Sequence, residues 1–214
     1  MEKRIMPSPD NPKVRALYKA VGKLVRENAD LSRLKVSDIT KEAGIGKGTA
    51  YDYFGSREEI IVGAILYFER TVMETVRGGL RDHRGFLEGI SYLLEAIERG
   101  SFERECVFRY LHLLSGTDAL GHMLRERIDG YPENQPTAVI YELVEEGVKE
   151  KILDGSLPRS YMVAAVSTKL FAWLMYVDSQ YKNADCDNER FRALLVEGIL
   201  KELGAAGAGR SLKV

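Results

Sequence analysis

Apolar side chains that recur at three- and four-residue spacing, segment after segment, constrain this chain more than any other feature. Val14, Leu17, Val21, Leu24 and Val25 fall on one face of a helix running from residue 13 to about 29. The same period returns after each break, and no stretch shows the period-two alternation of a strand bounded by turn pairs. The chain therefore reads as all-α. Its 214 residues, 45% hydrophobic and 29% charged, suffice for a buried core and exclude a disordered or collagen-like protein.

Breaks divide the helices. A short helix is expected over 36–43, stopped by Gly44, and another from 46 or 47 to 53, ended by Gly55-Ser56. A longer one opens at Arg57, where Ser56 and Glu59 stand at the spacing of a capping box, and is expected to close near residue 77 at Gly78-Gly79. Later breaks fall at Gly100-Ser101, Ser115-Gly116, 130–136, 154–158 and 183–187. Residues 1–11, with prolines at 7 and 9, read as a flexible arm, and the small-residue end 204–214 as a mobile tail.

Charge is unevenly placed. Residues 1–57 hold twelve Lys and Arg against seven Asp and Glu, a balance of +5, whereas the remainder sums to −6. One end suits a polyanion and the other does not. Cys106 and Cys186 form no Cys-x-x-Cys pair, which fits a reducing cytosol. The N-terminus turns proline-rich before an apolar signal segment can form. The most apolar stretch, 161–177, is interrupted by Ser167, Thr168 and Lys169 and reads as a buried helix, so a cytoplasmic protein with no membrane span is expected.

Two short helices joined through Gly44 and Ile45 have the layout of a helix-turn-helix, whose second helix enters the major groove of DNA. Glycine suits the turn because it enters the left-handed region without steric penalty. The second helix carries Lys47, Thr49, Tyr51 and Tyr53, with Arg57 just beyond, and these amines and hydroxyls reach phosphates or base edges. Gly46 and Gly48 keep its first turn slim.

The string ITKEAGIGKGTAYDYFGSREEI at residues 39–60 resembles the signature of TetR-type transcriptional regulators. The match covers about forty residues, and the remainder agrees in length and helical content. The resemblance implies phosphate contacts by Tyr51, Tyr53 and Arg57, with Lys47 and Thr49 facing the groove and Ser37 reaching in from the preceding helix. Departures are Lys35 where a capping threonine is common, Thr40 at a tight position usually held by alanine, Ala50 in place of a larger aliphatic residue, and Asp52, an acid on the recognition helix that could accept from a cytosine amine.

The resemblance further implies a C-terminal effector cavity and a homodimer through long helices, here those around 136–153 and 160–181. Phe68, Phe86, Tyr92, Phe108, His112, Met123, Tyr141, Trp173 and Tyr176 are the candidates to line a cavity, although aromatics at helical spacing are more often core. His83, His112 and His122 lack a companion at ligand spacing, and no nucleophile elbow, phosphate loop or dinucleotide fingerprint occurs, so no metal, cofactor or enzymatic activity is expected. The expected organisation is an arm (1–11), a helix-turn-helix domain (12–57), a helical effector and dimerisation domain (58–203) and a tail (204–214). The expected function is a homodimeric repressor released from a palindromic DNA operator by a small molecule. The alternatives are a ligand-dependent activator and a helical interaction module that has lost DNA binding.

Overall fold

The computed structural model describes residues 6–27, 31, 33–100, 117–129, 136–177 and 185–205. Among these the structure is helical, with α1 Pro12–Arg26, α2 Val36–Ala43, α3 Lys47–Tyr53, α4 Arg57–Leu80, α5 Gly85–Glu98, α6 Ala119–Asp129, α7 Pro136–Lys149, α8 Arg159–Val177 and α9 Asn188–Leu203. One isolated bridge, Leu153 with Gly204, is the β-type pairing found among them. The chain forms two compact units. The first holds α1, α2, α3, α4 as far as Thr71, and α6; the second holds the end of α4 with α5, α7, α8 and α9.

In the first unit the apolar face of α1 is buried as its spacing predicts, with Val14 and Leu17 fully covered and Val21 nearly so. They share one core with Ile39 of α2, Ala50 of α3, Phe54, Ile60 and Ile61, and also with Leu120 and Leu124 of α6. Helix α1 starts at Asn11, whose side-chain oxygen accepts the backbone N–H groups of Lys13 and Val14, while Pro12 at the first position has no N–H to satisfy. It ends at Arg26, three residues short of the expected end.

Lys35 stands at the start of α2, where its ammonium has nothing with which to accept an N–H. The start is secured from the other side: the Asp38 carboxylate accepts the Lys35 N–H at 3.0 Å. At the far end Gly44 sits at φ 68°, and the Ile45 N–H returns to the Thr40 carbonyl at 3.0 Å. Thr40 is buried, its hydroxyl donating to the Ser37 carbonyl at 3.3 Å. At the start of α4, Ser56 Oγ accepts the Glu59 N–H, but the Glu59 carboxylate takes the N–H of Gly55 and not that of Ser56, which displaces the predicted box by one residue.

Helix α4 does not close at Gly78-Gly79 but continues to Leu80. Gly79 is there for space: a Cβ on it would overlap the Tyr92 hydroxyl. In the second unit α8 packs against α5, α7 and α9. Its Trp173 is fully buried and donates from Nε1 to the Leu94 carbonyl at 2.7 Å. By length and composition α8 could cross a bilayer, yet Met162, Val166, Trp173 and Leu174 are buried within the unit.

Helix α7 stops at Lys149, before the expected 153, and the chain turns through Lys151 at φ 59°. Glu150 accepts the Phe86 N–H at 2.9 Å and so caps α5 from a distance. Both ends predicted as loose are partly tied down. The Asp154 N–H bonds to the Leu203 carbonyl and the Ala205 N–H to that of Ile152, while Tyr18 and Arg15 donate to the carbonyls of Pro7 and Pro9. Burial pushes the Tyr18 hydroxyl up to about 12, so it stays a neutral donor to Pro7 at any physiological pH.

No atom lies within 4 Å of a Cβ built on Gly44, so its substitution tests conformation alone. Gly44→Ala is expected to lower stability by about 1 kcal/mol, and Gly44→Asn by less, in chemical denaturation. Equal stability of all three proteins would contradict the left-handed turn.

Candidate nucleic-acid interface

Helix α3 is seven residues long and buries one side. Ala50 is fully covered, and at about 100° per residue the positions two before and two after it, Gly48 and Asp52, point the opposite way. Tyr51 is 51% exposed despite its apolar ring, and Lys47 is exposed as well. Thr49 and Ser37 are half-buried at the edges of this surface. Lys47, Thr49, Tyr51 and Asp52 thus surround one protruding face, with Gly46 and Gly48 leaving open space beside it.

Tyr53 is half-buried, and its hydroxyl accepts a hydrogen bond from Asn11 Nδ2 at 3.2 Å. Which end of the Asn11 amide is nitrogen follows from chemistry, because Oδ1 must accept the two N–H groups of α1. One side chain therefore starts α1 and aims Tyr53, and it leaves the phenolic proton free to donate to a phosphate. Sequence reasoning passed over Asn11. Its place before Pro12 signals a helix start, but the partner 42 positions on is visible only in the fold.

Arg57 is partly engaged inside the protein. Its guanidinium meets Glu58 Oε1 at 2.7 Å and donates to the Leu34 carbonyl at 3.3 Å, tying the start of α4 to the segment before α2. On α1 and α2, Lys23 pairs with Glu42 at 2.7 Å, and the Lys23 ammonium is held above its ordinary value by that hydrogen bond. These bonds fix the frame on which α3 is carried.

The cavity candidates are dispersed. Phe68 lies over Gly22 of α1, and Met123 packs on the core of the first unit. Within the second unit Phe86 and Trp173 are core, while Tyr92 sits against Gly79 and the His83 ring. Tyr176 stacks on Phe191 at 3.8 Å and donates to the Cys186 carbonyl, and Tyr141 is 48% exposed. Phe108 and His112 lie outside the described residues. His83 donates from Nδ1 to the Gly79 carbonyl at 2.9 Å, which gives it a structural role near the end of α4.

Asn11→Ser keeps a helix-starting side chain too short to reach Tyr53. It is expected to leave the melting temperature within a few degrees while weakening DNA binding as much as Tyr53→Phe does, and the double variant should be no worse than Tyr53→Phe. Independent losses that add in the double variant would show that Asn11 does not act through Tyr53.

The family described as bacterial regulatory proteins, tetR family, matches residues 28–64, which include α2, α3 and the start of α4. The chain is 24% identical over 191 residues to a fatty acid metabolism regulator protein of Bacillus subtilis, across 88% of this chain and 96% of that one. Its fold is similar to that of a TetR family transcription regulator from Marinobacter aquaeolei, with TM-score 0.65 and 17% identity over 92% of this chain and 98% of that one. It is also similar to the regulator FadR of Bacillus subtilis, solved in complex with stearoyl-CoA, with TM-score 0.60 and 17% identity over 87% and 95% of the two chains. The signature of that family thus lies on α2, α3 and the start of α4, and along most of its length the chain shares the fold of these regulators.

Proposed function

We propose that the protein is a homodimeric repressor that places two copies of α3 in successive major grooves and leaves its operator when an acyl thioester binds. Residues 12–57 read DNA and residues 58–203 hold effector and partner. The face of α3, with exposed Lys47 and Tyr51 and the aimed Tyr53, supports the DNA contact; Ser37, Thr49 and Arg57 lie around it. The relatives that act in fatty acid metabolism and hold stearoyl-CoA support the effector class. As cytosolic regulators do, it works without a membrane span or a catalytic group.

The observation that carries the dimer is on α8. Tyr161, Ala164, Thr168, Phe171 and Met175 are all exposed and follow one another at intervals of three, four, three and four residues. Tyr161, Phe171 and Met175 are 47%, 41% and 49% exposed, and Leu194 on the neighbouring α9 is 51% exposed. A continuous apolar stripe of this kind is costly in water and matches the seam of paired helices. Ala164 and Thr168 at its centre let two backbones approach. The apolar face of α7, by contrast, is used within the chain: Val139, Leu143 and Val144 are buried, and Gly89 of α5 lies against Leu143. The stripe is flanked by Lys169 and Glu202, 3.0 Å apart, with Tyr161 donating to the same carboxylate at 2.9 Å; the Lys169 hydrogen bond, then that of Tyr161, holds Glu202 below its ordinary range.

Helix α4 runs unbroken from Arg57 to Leu80, from beside the DNA-facing helices into the second unit, and carries the effector signal. Coupling is reciprocal: operator DNA weakens effector binding by the factor by which effector weakens DNA binding. Titration of stearoyl-CoA with and without operator is expected to give equal factors, and identical thioester affinity in both cases would refute the scheme. Phe171→Glu/Met175→Glu is expected to sediment as a monomer and to lose at least about a hundredfold in operator affinity. A dimer of unchanged stability would remove α8 from the interface.

A further inference from the structure

We infer that Asp52 sets sequence specificity by accepting a hydrogen bond from the N4 amine of a cytosine in each half-site, an inference that rests on DNA binding by α3. The other acids described between residues 10 and 60 have partners. Asp10 meets Ser8, Glu27 and Glu42 meet Lys23, Asp38 takes the Lys35 N–H, Glu58 meets Arg57, and Glu59 takes the Gly55 N–H. Asp52 is exposed and has no such partner among the described residues, and the positions one turn earlier on its helix, Gly48 and Thr49, carry no cation.

The placement is unfavourable for general affinity. Asp52 stands opposite the buried Ala50, at the centre of the face that meets the groove, where an unneutralised carboxylate repels every phosphate it approaches. A carboxylate only accepts hydrogen bonds, and the major groove offers two donors, the amines of cytosine and adenine. Beside the adenine amine lies the N7 acceptor, which repels the carboxylate, whereas beside the cytosine amine lies a carbon. Cytosine is therefore the base that compensates the charge. Gly48, one turn earlier on the same face and bordered by open space, lets a side chain as short as aspartate come down to the base edge.

The test is selection from random duplexes by the full-length protein, by Asp52→Ala and by Asp52→Asn, at one salt concentration. Wild type should enrich a symmetric site with a cytosine at one position of each half, preferred roughly ten- to a hundredfold over other bases. In Asp52→Ala that preference should fall below about threefold while binding to random DNA tightens, and Asp52→Asn should move it toward adenine. Both variants should melt with wild type, since the side chain is exposed and makes no hydrogen bond or ion pair among the described residues. Variants that select the wild-type site with undiminished preference at every position overturn the assignment while leaving DNA binding in place. A wild-type protein that enriches no sequence overturns the DNA-binding reading and the assignment together.

Discussion

A helix of seven residues has no stability of its own in water, so α3 exists only because one side of it is packed. Ala50 and Phe54, both fully buried, anchor it in the core built by α1 and α4, and the left-handed Gly44 delivers the chain into that position. Everything that faces outward on α3 depends on this seating. A small residue at 50 brings the helix close to its support, and the residues two before and two after it are thereby turned to solvent. The same core includes Leu120 and Leu124 of α6, so the frame behind α2 and α3 reaches beyond residue 57.

The second unit follows a different logic. Its long helices bury enough to define a core around Trp173, yet Tyr161, Phe171 and Met175 of α8 remain partly exposed on another side. Buried and exposed apolar side chains lie on different faces of this one helix. That division explains why α8 is apolar almost all round and why composition alone makes it resemble a membrane span.

The parts of this structure that were legible in the sequence are those fixed by local chemistry. The ends of α2 and α3 follow from Gly44, Gly46 and the Gly55-Ser56 pair, and the buried face of α1 follows from its spacing. What escaped was set by partners far along the chain. Gly79 reads as a helix stop until Tyr92 is seen lying on it, and Asn11 goes unnoticed until its amide is found on the Tyr53 hydroxyl. The cap that looks missing at Lys35 is a local case instead, supplied from within the helix by Asp38 three positions on. Aromatic residues gathered as cavity candidates by type alone fall into two units and several roles, because helical spacing does not tell a core position from a lining one.

Hydroxyl-radical footprinting of the purified protein on an operator obtained by selection shows whether a dimer reads DNA through α3. Two equal protected patches related by a dyad are expected, their centres one helical turn apart, about 34 to 36 Å, with both lost in a Lys47→Ala/Tyr51→Ala variant that still folds. A single asymmetric patch, or protection that survives in that variant, would contradict a dimer that reads DNA through α3.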